Sequence, residues 1–379
     1  MVYKMKPVYI VSDNITSPIG NTTEENFRKV KNGLSAIKQI DNTSLSLQPF
    51  YAAMFDEAAY AVSGNYTRFE QLCIQSITDA LQQSDICPSN DTVFILSTTK
   101  GNIELIETEP VSDSTKDRVS LFNTATLIAK HFDFPNKPIV VSNACVSGVL
   151  SIIIAKRLLQ SGQYKHAIVT GADVLSKFII SGFQSLQAMS FKPCKPFDKL
   201  RDGINLGECV STVILSSEVS LAASPKIKVL GGAVSNDANH ISGPSRTGAE
   251  LAFAIKQVLA ESNLKADDLS FISAHGTATI YNDEMEAKAF SQLGLGQVPV
   301  HSLKPAFGHT LGAAGVVESI FSYHSLVNDI VLPSRNFDEL GVSENINISK
   351  ALINNQKNFA LKTASGFGGC NAAIIYSKN

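Results

Sequence analysis

Short apolar runs alternate along this chain with longer segments of helical periodicity, and this alternation limits the fold more than any other feature. Ten runs have the length and apolar character of buried strands. They are Val8–Ser12, Thr92–Ser97, Pro138–Ser142, His166–Thr170, Ser211–Leu215, Lys226–Gly231, Leu269–Ala274, Val298–Leu303, Phe359–Thr363 and Ala372–Tyr376. The segments with helical spacing are Thr23–Asn32, Arg68–Ser84, Cys145–Ser161, Gly248–Asn263, Asp283–Leu293 and Leu311–Val327. Strands joined by helices are typical of an α/β protein with mostly parallel sheets, which is the fold class that we predict.

Local signals predict one helix boundary and the main loops. Asp283 is predicted to cap the helix that follows it, with Glu286 three residues later as its capping-box partner. Polar or Gly- and Pro-rich composition predicts loops at Glu109–Arg118, Ser190–Asn205, Ser235–Thr247 and Ser334–Asn347.

Two distant segments share one plan. PIVVSNACVSGVLSIII and VPVHSLKPAFGHTLGAAGVVESIF each contain a strand pattern, a polar turn and a helix that opens with small residues. Their sequence identity is slight, so the echo suggests a duplication without demonstrating it. It suggests a boundary between two halves near Ser216–Pro225.

Composition excludes several classes of protein. The 379 residues carry a net charge of −2, with 44% hydrophobic and 17% charged residues, as in a soluble globular enzyme without a global field for nucleic acid. A local patch for an acidic partner stays possible. The six cysteines form no CxxC pair, which favours a reduced, cytoplasmic chain without a metal site. The most apolar stretch, Val149–Leu159, contains charges and is shorter than the ~20 residues of a membrane span, so no membrane insertion is expected.

Cys145 is the candidate nucleophile. It lies between a predicted strand and a predicted helix, where the positive end of the helix dipole favours thiolate over thiol. Small neighbours such as Ala144 and Gly148 leave room for a substrate. The alternative interpretation is an inert buried cysteine.

His275 and His309 are candidates for partners of this thiol. Each follows a predicted strand, and the carboxyl ends of parallel strands are where functional side chains collect. A thiol with two imidazoles can transfer an acyl group and then stabilise an enolate. Lys304 and Glu318 could form a buried pair that fixes the His309 loop, or they could be two solvated charges.

SGFGGCN joins two predicted strands near the C-terminus. No helix follows it, so it lacks the helix N-terminus of a dinucleotide-binding loop. It is better explained as a flexible active-site loop whose backbone N–H groups face the substrate, with Phe367 as a movable apolar wall.

NACVSG, HGTATIYND, KPAFGHTLGAAGVVE and SGFGGCN, in this order, resemble the motifs of the elongating β-ketoacyl-[acyl-carrier-protein] synthases of the KAS I/II type. KPFDKLRDGINLGEC and DANHISGP extend the resemblance over nearly the whole chain. The initiating synthases have His and Asn in place of the two His, and thiolases have a different C-terminal signature.

This resemblance implies a thiolase fold, a duplicated five-layer αβαβα arrangement with two mainly parallel central sheets. Residues 1–220 would be the thiolase-like half with the nucleophile, and residues 221–379 the half with the two catalytic histidines. The family normally forms dimers. A homodimer is expected here, and a heterodimer with a related synthase subunit is the alternative. The substrates would arrive on the phosphopantetheine of an acyl carrier protein, without a further cofactor or a metal.

The resemblance also implies roles for individual residues. Cys145 would accept the acyl group, His275 and His309 would promote decarboxylation of the malonyl donor, and Lys304 would complete the catalytic set. The amides of Cys145 and Phe367 would form the oxyanion hole. The implied supporting or substrate-channel residues are Glu318, Thr277, Thr279, Phe183, Phe367 and Asp283.

Some residues depart from the family pattern. NAC replaces the usual TAC, and Val146 adds bulk beside the thiol. Gln187 stands where many bacterial members carry an arginine that meets the carrier protein. Other candidates for a basic docking patch are Arg68, Lys192, Lys195 and Lys199. NACVSG and the compact length also resemble synthases of secondary pathways that make aryl-polyene-like pigments, with housekeeping fatty-acid elongation as the alternative.

Two other functions are compatible with the motifs. A non-catalytic partner subunit that sets chain length in a heterodimer would usually lack the nucleophile, which is present here. A cysteine hydrolase would cleave a thioester without a malonyl donor. Acyl chain length, unsaturation and the identity of the carrier protein are not encoded in these motifs.

Overall fold

The computed structural model describes residues 5–56, 65–239 and 241–379. His240, which belongs to the DANHISGP segment, lies outside the described residues. The strands are β1 (Tyr9–Thr16), β2 (Lys38–Ile40), β3 (Phe50–Ala53), β4 (Thr92–Ser97), β5 (Ile139–Val141), β6 (His166–Asp173), β7 (Leu206–Gly207), β8 (Cys209–Ser216), β9 (Ile227–Asn236), β10 (Leu269–Ser273), β11 (Val300–His301), β12 (Ile330–Val331), β13 (Ile353–Asn354), β14 (Phe359–Gly366) and β15 (Cys370–Lys378). The α-helices are α1 (Thr23–Lys31), α2 (Arg68–Leu81), α3 (Leu105–Thr108), α4 (Asp113–Val119), α5 (Leu121–His131), α6 (Ser147–Gln160), α7 (Lys177–Ser185), α8 (Ala249–Ser262), α9 (Ile280–Gln292), α10 (Lys304–Phe307) and α11 (Ala314–Val327).

Ten strands form one sheet in the order β11-β10-β14-β15-β9-β1-β8-β6-β4-β5, and each corresponds to one of the ten predicted strands. The same arrangement occurs twice. One half contains β1, β4, β5, β6 and β8, and the other contains β9, β10, β11, β14 and β15. When the five strands of a half are numbered in chain order, their order from the outer end of the sheet to its middle is third, second, fourth, fifth, first in both halves. The third, second and fourth strands are parallel, and the fifth is antiparallel to both of its neighbours in each half. The duplication suggested by the sequence echo is therefore present in the topology.

The two halves meet edge to edge at the first strand of each. Tyr9 pairs with Lys228, and the Val229 N–H donates to the Val8 carbonyl at 3.0 Å. This contact joins the two expected sheets into one mixed sheet. The parallel pairs lie toward its outer ends, whereas the pairs near the junction are antiparallel. One of the antiparallel pairs, β14 and β15, is a hairpin with a short loop.

Helices cover the sheet in layers with three main apolar cores. α2 and α5 pack on the first half, α8 and α9 pack on the second, and α6 and α11 lie between the halves. The result is the expected αβαβα layering. Among the described residues, no helix combines the length and the apolar character required to cross a membrane.

The central helices α6 and α11 approach each other closely where two glycines meet. A Cβ on Gly315 would lie 2.2 Å from the Val149 nitrogen, and one on Gly148 would lie 2.6 Å from the Val316 nitrogen. Only residues without a side chain permit backbones to come this close. The contact brings the start of α6, which follows Cys145, next to the start of α11, which follows His309.

Two sequence predictions about local structure are wrong. Helix α9 begins at Ile280, and the Thr279 side chain caps it by accepting from the Asn282 N–H, so Asp283 lies inside the first turn. The Asp283 carboxylate instead accepts from the Phe197 N–H at 2.6 Å, which leaves it unable to cap. The predicted loop 109–118 contains most of helix α4, which buries only Thr115 and therefore lacks a clear apolar stripe.

We expect Gly315→Ala to lower the free energy of unfolding by about 1–3 kcal/mol, because the new methyl group would overlap the α6 backbone. Urea denaturation followed by circular dichroism would measure the change. Gly182→Ala in α7 is the matched control, since a Cβ there meets nothing within 4 Å. An equal loss of stability in both variants would contradict the close-approach explanation.

Candidate active site

Three chain segments bring Cys145, His275 and His309 together. The thiol sulfur and one nitrogen of each imidazole all lie within 4.8 Å of one another, and the three residues are buried. The two imidazole rings meet edge to face, with centroids 5.1 Å apart and an interplanar angle of 82°. Cys145 follows β5 and His275 follows β10, as predicted, whereas a turn of helix, α10, separates β11 from His309.

A strained turn presents the thiol. Ala144 has a positive φ of 45°, a left-handed conformation that is uncommon for alanine. The Ser147 hydroxyl holds the turn, because it accepts from the Asn143 N–H at 2.7 Å and donates to the Ala144 carbonyl at 2.6 Å. Cys145 therefore precedes the first turn of α6, and the Phe367 backbone N–H donates to its sulfur.

Burial raises the pKa of the Cys145 thiol to about 11, although the Lys304 ammonium acts in the opposite direction. The thiol is therefore the resting form at neutral pH. The expectation of a resting thiolate is wrong, because desolvation outweighs the favourable groups around the sulfur.

The hydrogen bonds of the histidines fix their tautomers. The Lys304 ammonium lies 3.4 Å from the His275 Nδ1, and the Leu311 N–H donates to the His309 Nδ1 at 3.3 Å. Neither donor can accept a hydrogen bond, so in each ring Nδ1 is the acceptor and Nε2 carries the proton. The His309 Nε2 is buried and has no hydrogen-bond partner within the described part of the chain.

Both imidazoles are neutral at physiological pH. Burial lowers the pKa of His275 and of His309 well below the usual value, and the positive charge of Lys304 lowers both further. Two neutral rings thus present N–H donors beside the thiol, an arrangement suited to an oxygen atom that gains negative charge during a reaction.

Lys304 and Glu318 form the predicted pair, and a second lysine joins them. Glu318 lies 2.8 Å from the Lys304 ammonium and 2.7 Å from the Lys362 ammonium, and all three side chains are buried. Burial alone would raise the pKa of Glu318, but the two ammonium groups lower it below its usual value. Sequence reasoning missed Lys362, although a charged residue inside the apolar run FALKTA was the available signal.

Two carboxylates hold the His275 loop. Glu286 accepts from the His275 and Gly276 N–H groups at 2.8 and 2.6 Å, which is the role it has in place of capping. Asp283 accepts from the Thr277 N–H at 3.0 Å, and burial raises its pKa to about 7. Asp283 is a supporting residue of this loop, since it does not line either of the cavities around the site.

Two cavities are lined by Cys145. The first, of about 460 Å³, is lined by both histidines and by Thr277 and Thr279, whose hydroxyls are 2.8 Å apart. The second, of about 790 Å³, has mainly apolar walls that include Phe178, Ile179 and Leu311. The stacked rings of Phe183 and Phe367, with centroids 5.9 Å apart, line both cavities.

Three of the four basic residues predicted to form a docking patch make ion pairs within the chain. Arg68 pairs with buried Glu208 at 3.0 Å, and Lys195 pairs with Asp338 at 2.9 Å. Lys199 likewise pairs with Glu339 at 2.9 Å. Gln187, by contrast, lines the first cavity.

A thiol and two imidazoles could also reach a single metal ion. The Lys304 ammonium beside the His275 ring argues against a cation at this position, because the two positive charges would repel each other in a buried site. The group fits covalent acyl chemistry better, since it provides one nucleophile and two donors for an oxyanion.

Fold and site together are typical of enzymes that carry an acyl group on a cysteine thiol, and the comparisons with known proteins agree. Residues 5–220 match the model of the beta-ketoacyl synthase N-terminal domain, and residues 227–338 match that of the C-terminal domain. The chain belongs to the β-ketoacyl synthase family.

Relatives match along almost the whole chain. A 3-oxoacyl-[acyl-carrier-protein] synthase 2 from Vibrio cholerae is 28% identical over 98% of this chain and 99% of its own length. Among solved structures, a beta-ketoacyl synthase from Burkholderia phymatum has a TM-score of 0.89 and 21% identity, covering 99% of this chain and 100% of that one. A ketosynthase in complex with its chain length factor, from Xenorhabdus doucetiae, has a TM-score of 0.86 and 22% identity, covering 99% and 98%. These likenesses confirm the predicted thiolase fold.

We expect alkylation of Cys145 by iodoacetamide to be slow at pH 7 and to accelerate as the pH rises toward 11, because the thiolate is the reactive form. Lys304→Met should raise the pKa of the thiol and slow the reaction at any given pH below it. Peptide mass spectrometry would follow Cys145 separately from the exposed Cys87. Full reaction of Cys145 at pH 7, at the rate of Cys87, would contradict the assignment.

Proposed function

We propose that this chain is a β-ketoacyl-[acyl-carrier-protein] synthase that condenses an acyl group on Cys145 with malonyl-carrier protein. The observation that carries the proposal is the pair of neutral imidazoles, each with its Nε2 proton available, within 4.8 Å of a buried thiol. Such a pair can hold the thioester oxygen of a malonyl group while negative charge develops on it.

In the first half-reaction, the Cys145 sulfur attacks the thioester of an acyl-carrier protein. The tetrahedral oxyanion would be bound by the backbone N–H groups of Cys145 and Phe367. Collapse breaks the old carbon–sulfur bond, and the proton lost by the Cys145 thiol ends on the released phosphopantetheine thiol. The acyl chain then occupies the larger, mainly apolar cavity, whose walls stabilise it by burial.

In the second half-reaction, malonyl-carrier protein enters through the first cavity. The carbon–carbon bond to the carboxylate breaks, carbon dioxide leaves, and the electron pair moves toward the thioester oxygen beside His275 and His309. The resulting enolate carbon attacks the acyl-Cys145 carbonyl. Expulsion of the Cys145 thiolate, which takes up one proton, gives 3-oxoacyl-carrier protein and restores the thiol.

The two other functions fit the site less well. A hydrolase needs one base to activate water, whereas two neutral imidazoles with protonated Nε2 atoms better fit an oxygen atom that gains negative charge. A non-catalytic partner subunit does not require a nucleophile, whereas the Cys145 thiol of this chain lines two cavities. The cysteine-centred geometry therefore favours a catalytic subunit.

The proposal includes partners and a division of labour in the chain. The Vibrio cholerae relative is named for an acyl carrier protein, and the Xenorhabdus doucetiae ketosynthase was solved with a chain length factor. We assign an acyl carrier protein as the substrate carrier here, and a homodimer as the assembly, with a related subunit as the alternative second chain. Residues 1–220 provide the nucleophile, and residues 221–379 provide the two histidines.

Intact-mass analysis would test the function. Wild-type protein and Cys145→Ala are incubated with a panel of acyl-carrier proteins and then with malonyl-carrier protein. We expect an acyl adduct on the wild type alone, which the malonyl donor discharges as a 3-oxoacyl product two carbons longer. No adduct with any donor would favour the partner subunit, and loss of the adduct to water without a malonyl donor would favour the hydrolase.

The assignment of the acyl chain to the larger cavity yields a separate prediction. Gly182 lines this cavity, and a side chain there would meet no existing atom within 4 Å of its Cβ. Gly182→Leu and Gly182→Phe should therefore fill the cavity and shift acylation of Cys145 toward shorter chains, in that order. Competition between acyl-carrier proteins of different length would measure the shift, with Gly182→Ala as the control. An unchanged length preference in the Phe variant would place the acyl chain elsewhere.

A further inference from the structure

Lys362 carries a fully buried ammonium group at the centre of the molecule. The residue lies in β14, and its Nζ contacts the Glu318 carboxylate at 2.7 Å. It also donates to the carbonyls of Ser273, Ala274 and Thr363 at 3.2, 3.3 and 2.5 Å. Two of these carbonyls belong to the residues directly before His275, so Lys362 anchors the strand end that carries this histidine.

The charges of the cluster do not cancel. Lys304 and Lys362 share the single carboxylate of Glu318, which leaves one positive charge in excess. Glu286 also acts electrostatically on Lys362, but among the described residues its carboxylate forms no ion pair with either lysine. It accepts instead from backbone N–H groups of the His275 loop and from the Thr363 hydroxyl. A buried cluster with excess positive charge is costly on its own and becomes favourable when an anion is bound beside it.

The excess charge acts on both histidines. Burial is the largest cause of the low pKa of His275 and of His309, and the charges of Lys304 and Lys362 lower both values further. Other titratable or charged groups face this region from the surrounding elements; they are Cys145, Glu286, His301 and Glu318.

We propose that Lys362 is a positioning residue for the decarboxylation step: its ammonium keeps the cluster positive, so that the two imidazoles remain neutral N–H donors and negative charge moves readily onto the thioester oxygen. This inference rests on the proposed function and deepens it. It assigns to one lysine, which has no contact with the substrate cavities, a specific step of the reaction.

The two half-reactions should depend on Lys362 to different extents. Acyl transfer to Cys145 uses the sulfur and the backbone N–H groups around it, and none of these contacts Lys362. Decarboxylation moves a full negative charge from the malonyl carboxylate to the oxygen beside the imidazoles, where the positive cluster stabilises it. Loss of the ammonium should therefore slow release of carbon dioxide and leave acylation nearly unchanged.

Three variants separate charge from structure. Lys362→Met removes the charge and keeps an unbranched side chain of similar length. Lys362→Gln also removes the charge but retains an N–H donor for the backbone carbonyls. The double variant Lys362→Met with Glu318→Gln removes one charge of each sign, which restores the excess positive charge through Lys304. Lys156→Met is the matched control, since Lys156 is a buried lysine that pairs with Glu261 at 2.5 Å and lines neither cavity.

Two rates are measured for each variant, acylation of Cys145 by intact mass and release of carbon dioxide from malonyl-carrier protein. The release rate is also measured as a function of pH. In Lys362→Met and Lys362→Gln we expect release to fall at least about tenfold with kcat more affected than KM, and acylation to stay within about threefold. The acid limb of the pH profile should move to higher pH, because removal of a nearby positive charge raises the pKa of both histidines. The double variant should recover part of the rate and of the pH profile.

Unchanged release in Lys362→Met and Lys362→Gln would overturn the proposal, as would an equal loss of acylation and release. Failure of the double variant to regain any rate, together with an unmoved acid limb, would assign Lys362 a purely structural role and would also overturn it. If Lys362→Met does not fold, Lys362→Gln and the double variant Lys362→Gln with Glu318→Gln decide the question by the same comparison. Wild-type protein that acylates Cys145 but never releases carbon dioxide would instead overturn the proposed function.

Discussion

The contact between the backbones of Gly148 and Gly315 is the constraint on which the rest of the site depends. Helices α6 and α11 can approach so closely only because neither glycine has a side chain at the crossing. Cys145 precedes one helix and His309 precedes the other, so their separation is set by this crossing rather than by flexible loops. His275 reaches the same point from β10, held by the Glu286 carboxylate. Reactive groups supported by helix and strand ends lose little freedom during the reaction, which is the basis of catalysis by preorganisation.

Burial has opposite consequences for the thiol and for the imidazoles. It raises the pKa of Cys145, which disfavours the resting thiolate, and it lowers the pKa of both histidines, which keeps them neutral. A protonated thiol is protected from oxidation and alkylation between turnovers. Neutral imidazoles, in turn, avoid the desolvation penalty of a buried charge. The same desolvation thus keeps the Cys145 thiol protonated and both imidazoles neutral. The positive charge near the histidines comes from Lys304 and Lys362.

The sequence was most informative where a local pattern determines the outcome. All ten strands of the large sheet were predicted, because buried strands are short apolar runs between polar turns. The grouping of Cys145, His275 and His309 was also predicted, because each follows a predicted strand. A shared sheet edge does not explain it, since β5 and β10 stand near opposite ends of the strand order and the packing of the two halves brings their carboxyl ends together. Asp283 was misassigned because its carboxylate has tertiary partners, the Phe197 and Thr277 N–H groups, which no local pattern reveals, and Thr279 caps the helix instead.

Long-range electrostatics were beyond the reach of sequence patterns. Lys362 is 44 residues from Glu318 along the chain, and no motif links the two, yet their pairing determines the net charge beside the histidines. A lysine within an apolar strand is expensive to bury, so its presence indicates that the structure provides partners for it. Here those partners are three backbone carbonyls and one carboxylate that a second lysine already occupies. Because the carboxylate is shared, neither lysine has an ion-pair partner of its own, and their positive charge acts on both histidines from outside the substrate cavities.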